Sequence, residues 1–215
     1  MNRRQLLLGV SAFVSAAAIP AIPRLAHADE VSDVLAQITK ARAGLESLVA
    51  PFVQERTIGL LATVVKSNGE MTMVRPDRLR WELLPPDAIT YWVGPEGFAF
   101  ATPKGASNVG KSAAGRFGSV LGDLMILLGG DLEKLRARYD LSVPSKKDGI
   151  TLRAEPKAEE LRKIVKRLEM RSGTELWAIK EVTIEEQSGD LSVIRFGEMK
   201  RNVKVDPSKM VPPKA

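Results

Sequence analysis

The one stretch of this chain whose spacing spells out a known chemistry is Gly105-Ala106-Ser107-Asn108-Val109-Gly110-Lys111-Ser112. It fits a phosphate loop, in which glycines free backbone amides to cradle phosphates, a lysine neutralises charge and a hydroxyl holds magnesium. That chemistry needs a buried parallel strand before the loop, a helix after it and a second strand ending in a magnesium-binding Asp. Here Pro103 stands just before the loop and the preceding strand reads as part of a meander. Nucleotide binding is therefore an alternative, and a loop flanking a lid is the expectation. Other reactive side chains are scarce. The single histidine, His27, falls in an N-terminal leader, and the chain has no cysteine. Imidazole bases, thiol nucleophiles and the commonest zinc and copper ligands are thereby removed. No Asp/Glu cluster has calcium-loop spacing. A binding protein rather than an enzyme is expected, with no catalytic residue, metal or cofactor.

The leader sets the compartment. Arg3-Arg4 precede an apolar run to Ala18, then Pro20, Pro23 and a small-residue junction at Ala26-His27-Ala28, the pattern of an export signal. The paired arginines, with Arg24 near the junction, favour the twin-arginine route, and the general secretory route stays open. The apolar run is shorter than the ~20 residues that span a bilayer. Residues 1–28 are expected to be cleaved, leaving 29–215 as one domain. The whole chain carries a net charge of +6, and the leader takes three arginines with it. What remains is interspersed: Arg162-Lys163 and Lys166-Arg167 sit among Glu159, Glu160 and Glu169, which reads as a solvated face. Nucleic acid is not an expected partner. Basic charge does suit visits to anionic membrane surfaces.

The elements that position these residues follow from periodicity. Val31, Val34, Leu35, Ile38, Ala41, Leu45, Leu48 and Val49 recur at helical spacing, predicting a helix that Pro51 ends. The period then shifts toward two, with strands expected at 52–58, 60–66, 70–75, 79–84, 90–93 and 98–101 and turns at Asn68-Gly69, Pro85-Pro86 and Gly94–Gly97. Phe117, Val120, Leu121, Leu124, Met125 and Leu128 form one helical stripe, a candidate lid. Gly129-Gly130 breaks it, and Asp131 opens a short helix through Tyr139. Strands resume at 141–144, 150–155, 166–171, 176–185 and 190–196, and a tail from Val203 is expected along the sheet edge. Helix, meander, central helices and meander predict an α+β fold: one curved antiparallel sheet with helices on its concave face. Leu79, Trp81 and Leu83 share one strand face, and Phe98 and Phe100 another. The candidate cavity lining is Phe52, Leu79, Trp81, Leu83, Trp92, Phe98, Phe100, Leu121, Leu124, Met125 and Leu128.

Two segments carry a family likeness: Phe52-Val53-Gln54-Glu55-Arg56, and Arg75-Pro76 running into Leu79-Arg80-Trp81. With the N-terminal helix, Pro85-Pro86, Phe98 to Pro103, Gly130-Asp131, Val182 to Phe196 and the late Asn202, their order resembles the LolA family of periplasmic lipoprotein carriers. The resemblance implies an incomplete, half-closed β-barrel that shields acyl chains of lipoproteins or related lipids on their way to the outer membrane. It places the protein in the periplasm, and a monomer is the default expectation for a shuttle. Its implied partners are an acylated cargo, an inner-membrane ABC transporter of the LolCDE kind and an outer-membrane acceptor. It also implies that Arg75 sits at the cavity mouth, bonds lid-side backbone and stabilises the closed, empty state. A sensor or interaction domain on the same fold, without a transport role, is the alternative.

Overall fold

Val31, Val34, Leu35 and Ile38 lie on one stripe and are all buried, and they fold as helix α1 (Arg24–Ala41). The computed structural model describes residues 24–213 apart from 62, 110–114 and 130. The leader up to residue 23 and the Gly110-Lys111-Ser112 end of the phosphate-loop pattern lie outside the described residues. Helix α1 runs through the expected leader junction. It ends eight residues earlier than the apolar spacing predicts, in a turn from Arg42 to Glu46. Leu48, Ala50 and Phe52 also alternate, and as β1 (Ser47–Ile58) they pair with β2 (Thr63–Val74) along their whole length. That ladder outweighs a helical period which Gly44 interrupts.

Pro51 therefore lies inside a strand. It is tolerated because it faces the gap between β11 and β12, where its carbonyl accepts the Gly197 N–H at 2.8 Å. Asn68-Gly69, predicted as a turn, is also mid-strand. A Cβ on Gly69 would stand 2.2 Å from Phe52 Cζ and 2.3 Å from the Glu82 carbonyl oxygen. The glycine is there for a ring to lie across the backbone, and the hairpin turns at 59–61 instead.

The meander continues through β3 (Arg78–Leu83), β4 (Ile89–Gly94), β5 (Gly97–Thr102) and β6 (Gly105–Val109). Helices α2 (Gly115–Gly129) and α3 (Leu132–Arg138) follow, then β7 (Tyr139–Ser145), β8 (Thr151–Pro156), α4 (Glu159–Arg162), β9 (Val165–Ser172), β10 (Ile179–Glu186), β11 (Leu191–Phe196) and β12 (Lys200–Arg201). All belong to one unclosed antiparallel sheet, in the order β6-β5-β4-β3-β2-β1-β11-β10-β9-β8-β7, with β12 beside β1. The α+β fold expected from the sequence is the one observed.

Register makes the two faces chemically opposite. Phe52, Phe196, Val182, Ile194, Met170, Leu168, Trp81 and Leu79 alternate inward and are buried with α1, α2 and α3 against them. The outward positions carry ion pairs such as Glu55–Arg195–Glu181 and Arg153–Glu169. These exposed pairs contribute little singly but keep the convex face wet. The tail crosses that outer face, held by Trp92 Nε1 donating to the Lys209 carbonyl at 2.9 Å and by burial of Met210.

Candidate functional site

Between α2 and the concave face lies a half-enclosed cavity of about 300 Å³. Its apolar end is built by Trp81 from β3, Ile194 from β11, Ile184 from β10, Ile164, and Val120, Leu121 and Leu124 from α2. Its other end is polar: Gln54, Arg56, Glu186, Ser188, Asp190 and Ser192. Gln54 and Arg56 reach it because β1 alternates, which places them on the face of Phe52. Arg56 Nη2 meets Glu186 Oε1 at 3.1 Å and Asp190 Oδ2 at 2.8 Å. The Asp190 carboxyl is held below its usual range first by Arg56 and then by the Gly59 amide. The cavity thus has a greasy floor and an ion-paired mouth, the division an amphiphile would meet.

Of the candidate lining residues, Trp81, Leu121 and Leu124 border this space. Phe52 stands behind it, stacked on Trp81 with ring centroids 4.0 Å apart. Leu79 and Leu128 are buried in the same core, and Leu83 and Met125 pack on it half-buried. Phe98 and Phe100 join Tyr91 in a second aromatic cluster on the concave face, because Val93 pairs with Phe98 and Tyr91 with Phe100. Trp92 does not belong with them. Its partner Arg80 faces outward, so period two turns Trp92 to the convex face and the tail.

Arg75 bonds the backbone of the turn that follows α1. Its Nη1 donates to the carbonyls of Arg42 at 3.0 Å and Leu45 at 3.3 Å, fastening the turn between α1 and β1. Asn202 holds the same turn, donating to the Gly44 carbonyl at 2.9 Å and accepting the Glu46 N–H at 2.8 Å. The side chain that reaches α2 is one the sequence reading missed, Arg42. It is 1% exposed, and its Nη1 donates to Leu127 O at 2.6 Å and Leu128 O at 3.5 Å. Those carbonyls are the open C-terminal end of α2, where the helix dipole is negative. Burial, and then the nearby Arg75, push the Arg42 pKa down to about 10, so the guanidinium stays charged at neutral pH.

A second polar anchor holds the middle of α2. Asp123 is fully buried on a largely apolar helix. It accepts from the Tyr139 hydroxyl at 2.5 Å and pairs with Arg138 Nη1 at 3.0 Å. Burial raises the Asp123 carboxyl above its usual range, against the pull of Tyr139 and Arg138. The Tyr139 hydroxyl is itself pushed far up by burial and by Asp123.

The phosphate-loop pattern takes a different form. Gly105–Val109 is strand β6, paired antiparallel to β5 from Thr102↔Gly105 to Phe98↔Val109. The buried parallel strand that a phosphate loop follows is not found among the described residues. Nor do the described residues include a group of three His, Cys, Asp or Glu placed to hold a metal ion.

Residues 43–211 match the family model for the outer membrane lipoprotein carrier protein LolA. The chain belongs to the LolA family. A relative named outer-membrane lipoprotein carrier protein, from Alkalilimnicola ehrlichii, is 26% identical over 194 residues, covering 83% of this chain and 82% of its own. Among solved structures, a DUF1329 family protein from Desulfovibrio piger superposes with a TM-score of 0.50 at 11% identity, covering 85% of this chain and 96% of its own. MucB superposes with a TM-score of 0.51 at 13% identity, and there the match spans 85% of this chain and 62% of MucB. These two likenesses are of fold. The feature of interest in this chain is the arrangement rather than any one residue: a curved sheet with helices laid over its apolar hollow.

Proposed function

We propose that this chain is a periplasmic carrier that shields the acyl chains of lipoproteins or related lipids for transfer toward the outer membrane. The observation that carries the reading is the cavity itself, apolar where Trp81, Leu121, Leu124, Ile184 and Ile194 meet and ion-paired at the Arg56 mouth. Membership of the LolA family and the named carrier relative support it. No described helix is long and apolar enough to cross a membrane, which fits a shuttle. Every methylene moved from water into such a hollow contributes about 0.8 kcal/mol. A volume of about 300 Å³ sits at the small end of ligand cavities, ~300–1,000 Å³, so a multi-chain cargo requires α2 to swing outward. Arg42 at one end of α2 and Asp123 at its middle set what that movement costs. On this reading the cargo comes from an inner-membrane ABC transporter and goes to an outer-membrane acceptor. The protein acts by binding and not by catalysis.

The test is native mass spectrometry of the protein purified from its own periplasm, followed by lipid extraction. Bound acylated species are expected. A mass equal to the bare chain, unchanged after incubation with lipoprotein or phospholipid, would sink the proposal in favour of an interaction domain.

A further inference from the structure

The β1–β2 hairpin ends in an apolar tip that the cavity leaves unused. From Thr57 to Val65 there is no charged residue, and Arg56 and Lys66 bracket the stretch. Leu60 is 91% exposed and Leu61 65%, with Val64 and Val65 exposed beside them. Single exposed apolar side chains are ordinary, but a cluster at one protruding point marks a contact. The tip stands out because β1 and β2 pair to their ends at Ile58↔Thr63, whereas β3 leaves β2 at Gly69. Its root touches the cavity rim: the Gly59 N–H donates to Asp190 Oδ1 at 3.1 Å, and Asp190 lines the cavity with Arg56. Val65 pairs with Arg56 across the hairpin, so it lies on the concave side, between the tip and the mouth.

We infer that this tip is a membrane-docking finger that seats the cavity mouth on the surface of a phospholipid bilayer. It presents exposed aliphatic side chains at the end of a hairpin, which suits a deformable medium. Two hydrogen bonds tie its backbone from within. The Leu61 N–H donates to the Ile58 carbonyl at 3.1 Å, and Thr63 Oγ1 donates to the Leu61 carbonyl at 3.2 Å. A segment entering the acyl boundary needs such internal bonds, since water is not there to replace a missing one. Arg56 and Lys66 are already ion-paired, to Glu186 and Asp190 and to Glu55, so apolar insertion carries the contact. The positive charge that remains once the leader's three arginines are gone from the total of +6 adds a modest long-range attraction to anionic lipid. The inference rests on the carrier reading for its purpose: an acyl chain handed over at the bilayer surface beside Leu60 passes Val65 and reaches the mouth without crossing open water.

The absence of cysteine makes the test direct. Leu60→Cys provides one site for an environment-sensitive fluorophore, and Lys147→Cys, in the turn between β7 and β8 at the opposite end of the strands, provides the control. With vesicles of phosphatidylethanolamine and phosphatidylglycerol, the label at Leu60 should shift to the blue and brighten several-fold, and the label at Lys147 should not. The double change Leu60→Asp, Leu61→Asp should weaken vesicle binding on the order of tenfold or more while leaving uptake of a soluble fluorescent fatty acid as in the parent. An unresponsive Leu60 label, or vesicle binding untouched by the double change, overturns the finger. So does a label that responds to an added periplasmic extract and not to vesicles. If the parent takes up no fatty acid, the carrier reading fails while the vesicle result still decides the finger.

Discussion

Arg42 is a buried cation with no carboxylate partner among the described residues, and its charge is instead set against the carbonyl end of α2. Removing it strands those carbonyls where water does not reach. Arg42→Met is therefore expected to lower stability by about 1–3 kcal/mol, read as a lower urea midpoint at unchanged m-value. The freed helix should also take up a fluorescent fatty acid more readily. Arg75→Leu should act in the same direction and less strongly, because Arg75 is only half buried and acts on α2 through the Arg42 turn. Equal uptake by both variants and the parent would remove these arginines from lid control. Arg75 and Asn202 were readable in the sequence as parts of a motif, though not the turn on which they converge. Arg42 was not readable at all. At a helix end an arginine looks like a solvated cap, and what buries it lies 85 residues further along the chain.

At the scale of elements, β2 tests which reading of Asn68-Gly69 is physical. In a turn both residues would matter. In a strand crossed by the Phe52 ring only the glycine does. Gly69→Ala drives a Cβ into Phe52 and into the Glu82 backbone and should cost about 1–3 kcal/mol or more. Asn68→Ala should change the urea midpoint by no more than a few tenths of that. Comparable losses in both would return the turn. The Asn68-Gly69 turn signal, helical spacing through Leu45 and Leu48, and a loop at Gly105–Val109 all misread local pattern in the same way. Each segment fits two local periods, and a neighbouring strand supplied by the fold chooses between them. Strands with a single period, such as β3 and β11, were placed to within a residue.

Helix α2 makes a prediction about pH. The Asp123 carboxyl is raised above its usual 3.8, with burial as the largest cause, so the folded protein holds that proton more tightly than the unfolded chain. Stability from this group is then greatest below the usual value and is lost as pH rises through the raised one. Asp123→Asn cannot lose a proton. Parent stability relative to Asp123→Asn should therefore fall in urea titrations as pH rises from the usual carboxylate range through the raised value. A difference that moves the other way would mean the Arg138 ion pair outweighs burial.

For the whole molecule, the relation between cavity size and cargo is the decisive quantity. If α2 rests over a hollow of about 300 Å³, saturated fatty acids should bind about fourfold tighter for each added methylene. The gain should stop once the hollow is full, because further carbons must either stay in water or lift α2 off its Arg42 and Asp123 anchors. Isothermal titration along a chain-length series reads both the slope and the break. Leu124→Glu places a charge among Trp81, Ile184 and Ile194 and should abolish binding at every length. Leu124→Phe should instead move the break to shorter chains. In the Arg42→Met variant, where the lid is less firmly held, the break should move to longer chains or vanish. A slope without a break in the parent would mean that α2 yields freely and the resting volume sets no limit. Flat affinity across the series would mean that acyl chains do not enter the hollow at all.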